Sequence, residues 1–258
     1  MKPILETKVE DLPISIYATD KDMGTDAAEE AASVMQTAIK HQGRANIIIA
    51  TGNSQLTFLE ALSRKKGIDW SRVNVFHMDE YVGIAPDHPA SFPLFLRWHI
   101  IDTVKPRNFF PIVGQARDPW KTCAQYERLL RNNPADLCAL GIGENGHLAF
   151  NDPPLARFDE TKWVHVVKLA DSCKRQQVGE GHFKTIAEVP DEAISLTIPA
   201  LLAAKRVLAI VPEARKAEIV YQSLNGPVTP LCPASILRQA PHAHLYLDAD
   251  SGARIHKG

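Results

Sequence analysis

The stretch LGIGENGHLAFND, residues 140–152, sets Asn145, His147 and Asp152 among three glycines, Gly141, Gly143 and Gly146. Histidine titrates near neutral pH and can move a proton to or from a sugar oxygen. Asp152 lies near enough in sequence to orient one ring nitrogen. A second stretch, HMDEYVG at residues 77–83, puts Asp79 and Glu80 at the end of an apolar run. Side chains alternate along a strand, so one carboxylate is expected to face a ligand and the other structure or solvent. A third, TGNSQ at residues 51–55, offers Thr51, Ser54 and the amides around Gly52 to an anion at a helix N-terminus. Each has a plainer reading when taken alone. Ser54 is then an N-cap, the acid pair a solvated turn, and the histidine structural.

The spacing Gly141-x-Gly143-x-x-Gly146 also matches a dinucleotide fingerprint. Such a loop must open a helix whose N-terminal amides receive a pyrophosphate. Here Asn151-Asp152 is turn chemistry, and Pro153 and Pro154 follow within about two helical turns. Asp171, near the end of the next apolar run, is loosely where a ribose ligand would stand. The motif sits in mid-chain rather than in the first strand–helix–strand unit. The glycines are better explained by a sharp turn and close approach to a compact ligand. His77, Asp79 and His147 match no standard metal-ligand spacing.

The elements that must position these residues alternate from end to end. Apolar runs at 14–17, 45–50, 73–78, 136–143, 164–169, 206–212 and 242–250 read as strands. Helical patterns cover 20–43, opened by Asp20 or Asp22 and closed by Gly43, then 56–65, the segment after Pro93, 119–132, 197–205 and 214–226. The expected fold class is α/β: a mainly parallel twisted open sheet, Rossmann-like, with helices on both faces. No repeat, linker or break in composition divides the chain, so residues 1–258 read as a single domain. In such sheets ligands sit beyond the carboxyl ends of the strands, where the three polar stretches should converge.

The 258 residues are 45% hydrophobic with a formal net charge of -1, enough chain for a sizeable core and no basic block for nucleic acid. Cys123, Cys138, Cys173 and Cys232 form no C-x-x-C pair and read as free thiols in a reducing compartment. The amino-terminal residues lack the pattern of a signal peptide, and no run of 18 apolar residues spans a membrane. A cytoplasmic protein is the default expectation.

ATGNSQLTFLEAL, NVFHMDEYVGIAPDHPASFPLFLRWHIID, LGIGENGHLAFNDPP and EVPDEAISLTIPALLAAKRVLAIVPEARKAEIV together resemble the glucosamine-6-phosphate deaminase/isomerase family, in order and spacing over nearly the whole chain. The related 6-phosphogluconolactonases usually carry DER and GHTASLFP where this chain has DEY and GHLAFND. The resemblance implies an aldose–ketose isomerisation coupled to loss of ammonia from an amino-sugar 6-phosphate. It makes Asp79 the base between C2 and C1 and His147 the ring opener. Asn145 and Asp152 become the support of the histidine, Asp152 where the family usually has Glu. It makes Thr51, Gly52 and Ser54 the phosphate loop and Lys216 a phosphate ligand, with Asn53 and Gly146 beside them in the same motifs. No electrons enter or leave, so it implies no cofactor, and it leaves a homo-oligomer open. Two departures stand out. The loop lacks the family's second glycine and proline, and its bulkier Asn53 and Gln55 are expected to narrow the phosphate approach. The family's phosphate-binding arginine falls at or beside Glu180, which would repel a phosphate; Arg175 is the expected substitute. The alternatives are a sugar lactone hydrolase and a non-catalytic sugar-phosphate-binding homologue.

Overall fold

A computed structural model describes residues 2–255. Eight strands form one sheet in the order β1 (Leu5–Val9), β2 (Leu12–Tyr17), β11 (Ala243–Asp248), β10 (Arg206–Val211), β7 (Leu137–Leu140), β3 (Ala45–Ile49), β4 (Val73–His77) and β6 (Asn108–Phe110). All pairings in it are parallel except β1 with β2. Residues 45–49 and 137–140 are buried throughout, as continuous apolar runs require when both faces are covered. Alternation divides them between two cores. Ile48, Cys138, Leu140 and Ala209 face α5 (Pro119–Asn132) and α8 (Ala217–Asn225). Ile47, Ile49, Leu137 and Ile210 face α1 (Asp20–Gln42) and α2 (Leu56–Ser63).

The remaining helices are short. α3 (Phe92–Leu96) passes through a π-helical turn (Arg97–Ile101) into α4 (Asp102–Val104), and α6 (Asp171–Gly179) and α7 (Ile198–Leu202) follow later. α1 is capped by Thr19, whose hydroxyl accepts from the Asp22 amide at 3.1 Å, rather than by the expected Asp20 or Asp22. Both aspartates lie inside the first turn, where they complement the helix dipole. Gly43 closes the helix in the left-handed region, as expected.

A second sheet departs from the expected single one. β5 (Asp79–Tyr81), β9 (Glu192–Leu196) and β8 (Val164–Lys168) pair antiparallel in that order. The run at 164–169, expected in the main sheet, lies here instead. So does DEY, expected at the end of the strand at 73–78 and found as a strand of its own. Tyr81, Phe92, Phe150, Cys173 and Phe183 make a third apolar cluster that fastens α6 to this sheet. No helix among the described residues is long and apolar enough to cross a membrane.

In the main sheet β3 leads to its neighbour β4 on one side, whereas β7 has β10 on the other. The order therefore reverses between β3 and β7, and a crevice opens beyond their carboxyl ends.

Candidate active site

Four segments leave the carboxyl ends of β3, β4, β7 and β10 and meet in one polar cavity. Its lining includes Thr51, Gly52, Asn53, Ser54, Asp79, His147 and Lys216. Residues from three separate polar stretches, expected to converge, do share one space.

After β3 the chain makes a tight turn (Asn53–Gln55) before α2. Gln55 does not narrow the cavity as expected. Its amide nitrogen reaches inward to the Ile210 carbonyl and the Ser54 hydroxyl, both at 3.1 Å, and the side chain is buried. Of the two bulkier loop residues, only Asn53 faces the cavity.

β5 aims the acid pair. It is pinned against β9, with Asp79 opposite Ser195 and Glu80 opposite Ile194. Asp79 points into the cavity and its carboxyl makes no hydrogen bond or ion pair with the described residues. Burial, reinforced by the neighbouring Glu80 charge, pushes its pKa up to about 8. Glu80 turns the other way and is structural: the Ser91 hydroxyl donates to it at 2.8 Å and the Tyr81 amide at 2.9 Å. Burial still raises it to about 7, although those hydrogen bonds oppose the rise. Ahead of the pair, His77 is fully buried and accepts from the Ile112 amide at 2.8 Å; burial drives its pKa down to about 3. Among the described residues no three His, Cys, Asp or Glu side chains are grouped as a metal ion would need.

The loop after β7 explains its glycines. A Cβ on Gly143 would lie 2.1–2.3 Å from three atoms of the His147 ring, so only glycine lets the imidazole lie against this backbone. The segment turns rather than opening a helix at Gly146, and no dinucleotide cradle forms. Asp171, the loose ribose candidate, is an exposed residue in the first turn of α6.

His147 Nδ1 faces the Asn145 amide oxygen at 2.7 Å and the Asp152 carboxylate at 3.3 Å. Both are acceptors, so Nδ1 carries the proton and Nε2 is left to the cavity. Asn145 is thus the nearer partner, and its own amide nitrogen donates to Asp152 at 2.7 Å. Burial pushes the Asp152 carboxyl up, but the hydrogen bonds from His147 and Asn145 outweigh it and hold the group below its ordinary value. The aspartate therefore supports the ring both directly and through the asparagine.

Lys216 follows β10. It is buried, and its ammonium makes no hydrogen bond or ion pair with the described residues. Burial, with repulsion from Arg215, lowers its pKa to about 8. Lys216 is a buried cation beside the Asn53–Gln55 turn, whose start carries no side-chain cap, an arrangement that can receive an anion.

Two expected binding residues stand elsewhere. Arg175 is exposed and outside the cavity lining: α6 buries Cys173, Lys174 and Gln177, which puts residue 175 on the opposite face. Gly146 has φ 84°, and a Cβ there would meet Cys232 and Ile219 at 3.2 Å. It serves the turn and the packing of α8 and is not part of the cavity lining. Glu180 does line the cavity, as feared for a phosphate, but it is paired with Arg215 at 3.0 Å. Sequence reasoning missed Arg215, Gln176, Gln177, His182, Met78, Phe92 and Phe150, all of which face the cavity. Arg215 had a signal, since it follows a buried strand as directly as Lys216 does.

Residues 18–246 match the family model described as glucosamine-6-phosphate isomerases/6-phosphogluconolactonase. A glucosamine-6-phosphate deaminase of Exiguobacterium sibiricum is 36% identical over 240 residues, covering 91% of this chain and 93% of that one. One from Lactobacillus delbrueckii subsp. bulgaricus is 32% identical over 239 residues, 92% of this chain and 97% of its own. The solved structure of a monomeric glucosamine-6-phosphate deaminase superposes with a TM-score of 0.84 at 25% identity, covering 93% of this chain and 98% of that one. A 6-phosphogluconolactonase from Shewanella baltica, TM-score 0.77 at 19% identity over 94% of this chain and 100% of its own, shares the fold.

Proposed function

The chain belongs to the glucosamine-6-phosphate isomerase/6-phosphogluconolactonase family, and from that premise we propose that it deaminates and isomerises an amino-sugar 6-phosphate, glucosamine-6-phosphate in type, to the ketose phosphate and ammonia. The carrying observation is an unpartnered carboxyl, Asp79, and an unpartnered ammonium, Lys216, in the same cavity as an oriented imidazole.

The steps follow from what each group can do. Lys216, Thr51, Ser54 and the amides of loop 51–54 hold the phosphate. His147 Nε2 takes the proton of the sugar's anomeric hydroxyl and delivers one to the ring oxygen, because the closed sugar has no carbonyl to acidify C2. Asp79 then carries the proton from C2 to C1, which leaves an imine at C2; a water molecule adds there and ammonia departs, so the ketose carbonyl remains. A carboxyl whose pKa is raised to about 8 is a stronger base than an ordinary aspartate once ionised, which suits removal of a weakly acidic C–H. Phe92 and Phe150 wall the same space. The sugar phosphate is the partner this reading requires, in a cytoplasmic setting.

The test is incubation with glucosamine-6-phosphate, with ketose and ammonium measured separately. Both should form in equal amounts. Formation of neither, with acid released instead from a phosphogluconolactone, would replace this reading with lactone hydrolysis.

A further inference from the structure

Arg215 stands beside Lys216 and is held by three carboxylates. Its Nε meets Glu213 at 2.6 Å, one terminal nitrogen meets Glu144 at 2.8 Å, and the other meets Glu180 at 3.0 Å. Glu213 and Glu144 are rim residues, with side chains 39% and 46% exposed, whereas Glu180 is 9% exposed and lines the cavity. Two cations and three carboxylates leave this end of the cavity net negative before any ligand arrives. A phosphate seated on Lys216 would add its own negative charge within the same few side chains. One carboxylate must give up its hold on the guanidinium, and only Glu180 is on the ligand's side of it.

Glu180 is built to survive that loss. Gln176 donates to it at 2.9 Å and His182 Nε2 lies 3.4 Å away, both independent of Arg215. Burial works against its charge, but His182, Gln176 and Arg215 together bring its pKa down to about 2, so it stays ionised across the working pH range. Arg215 likewise keeps the rim glutamates when Glu180 is displaced.

We propose that Glu180 is an internal competitor for Arg215, and that a phosphorylated sugar binds by exchanging this carboxylate for its phosphate on the guanidinium. The inference rests on the sugar-phosphate reading and deepens it. Its consequence is selectivity. A bare phosphate has only the Lys216 and loop 51–54 contacts to set against breaking the Glu180–Arg215 pair, whereas a sugar phosphate also gains the Asp79 and His147 end of the cavity. Glu180 thereby keeps the site from filling with inorganic phosphate.

Glu180→Gln tests this. It keeps the shape and the Gln176 contact and removes the competing charge. The dissociation constant for inorganic phosphate, by calorimetry, should fall about tenfold, equivalent to about 1.4 kcal/mol. KM for glucosamine-6-phosphate should fall in the same sense, with kcat moving less than KM. Adding Arg215→Gln should abolish the gain. Phosphate binding that is unchanged or weaker in Glu180→Gln overturns the proposal. Should that variant fail to fold, Glu180→Asp draws the carboxylate back by one methylene and should tighten phosphate in the same direction; unchanged or weaker binding there overturns it equally. The two readings fail differently. Wild-type protein that forms ketose and ammonium, with no gain in either variant, sinks only the competitor role. Wild-type protein that forms neither product sinks the proposed reaction.

Discussion

Glu30 and Asp79 are both carboxylates drawn out of water, and their surroundings treat them in opposite ways. Glu30, on α1 near the amino end of β10, is in contact with Arg206 and the Tyr246 hydroxyl, and His244 Nδ1 lies 2.8 Å away. Burial alone would raise its pKa, but His244, Arg206 and Tyr246 bring it down to about 2. Asp79, beyond the opposite end of the strands, has no such partner, and burial beside Glu80 lifts it to about 8. The charge of Glu30 is paired within the fold; that of Asp79 is left open to the cavity, at a cost in stability, as its proposed role requires. The Lys216 ammonium repeats the second pattern with the opposite sign.

The largest effect expected of this contrast is on turnover. Asp79→Asn should cut kcat about 10²–10⁴-fold while the protein stays folded. It should also be more stable than the wild type at neutral pH, on the order of 2 kcal/mol. Folding raises the pKa of Asp79, so the stability tied to its proton is full below the ordinary carboxyl pKa and is lost as pH rises toward about 8. The gap between variant and wild type in chemical denaturation should therefore close as pH approaches 4, about the ordinary carboxyl value. A variant less stable than wild type at pH 7 would break the comparison.

Lys216→Met should raise KM for the phosphorylated sugar about 10–100-fold, the loss of a charge-assisted contact, without unfolding the protein. Glu30→Gln should do the reverse: little effect on KM, but a loss of about 2 kcal/mol in denaturant melts, because Arg206 and His244 lose their anion. Its stabilisation is present above the ordinary glutamate pKa and disappears as pH falls toward about 2.

The smallest effect is a shift in a pH profile. The acid limb of kcat/KM should report Asp79 ionising and the alkaline limb Lys216 losing its charge, both near pH 8. Glu80→Gln removes a neighbouring negative charge, so the acid limb should move to lower pH by about one unit. An upward shift would mean that Glu80 acts on Asp79 otherwise than by repulsion.

The sequence already carried the parts of this picture that rest on periodicity. Residues 45–49 and 137–140 are uninterrupted apolar runs, and strand alternation predicted the opposed directions of Asp79 and Glu80. The second sheet was hidden because β5 is three residues long and two of them are acids. α6 was hidden because its composition is polar, and it is held by packing against Tyr81 and Phe183 rather than by its own pattern. Arg215 follows a buried strand as Lys216 does, but two of its three carboxylates come from distant residues, 144 and 180, with only Glu213 beside it in the chain. The Gly143–His147 contact, which decides between a dinucleotide loop and a histidine support, exists only in three dimensions.

The claim that Asp79 moves a proton between neighbouring carbons is tested most directly with glucosamine-6-phosphate deuterated at C2. The wild type should release that deuterium into water or pass it to C1 of the ketose, and Asp79→Asn should leave it at C2 while still binding the sugar phosphate. Loss of the C2 label by Asp79→Asn at the wild-type rate would contradict the account.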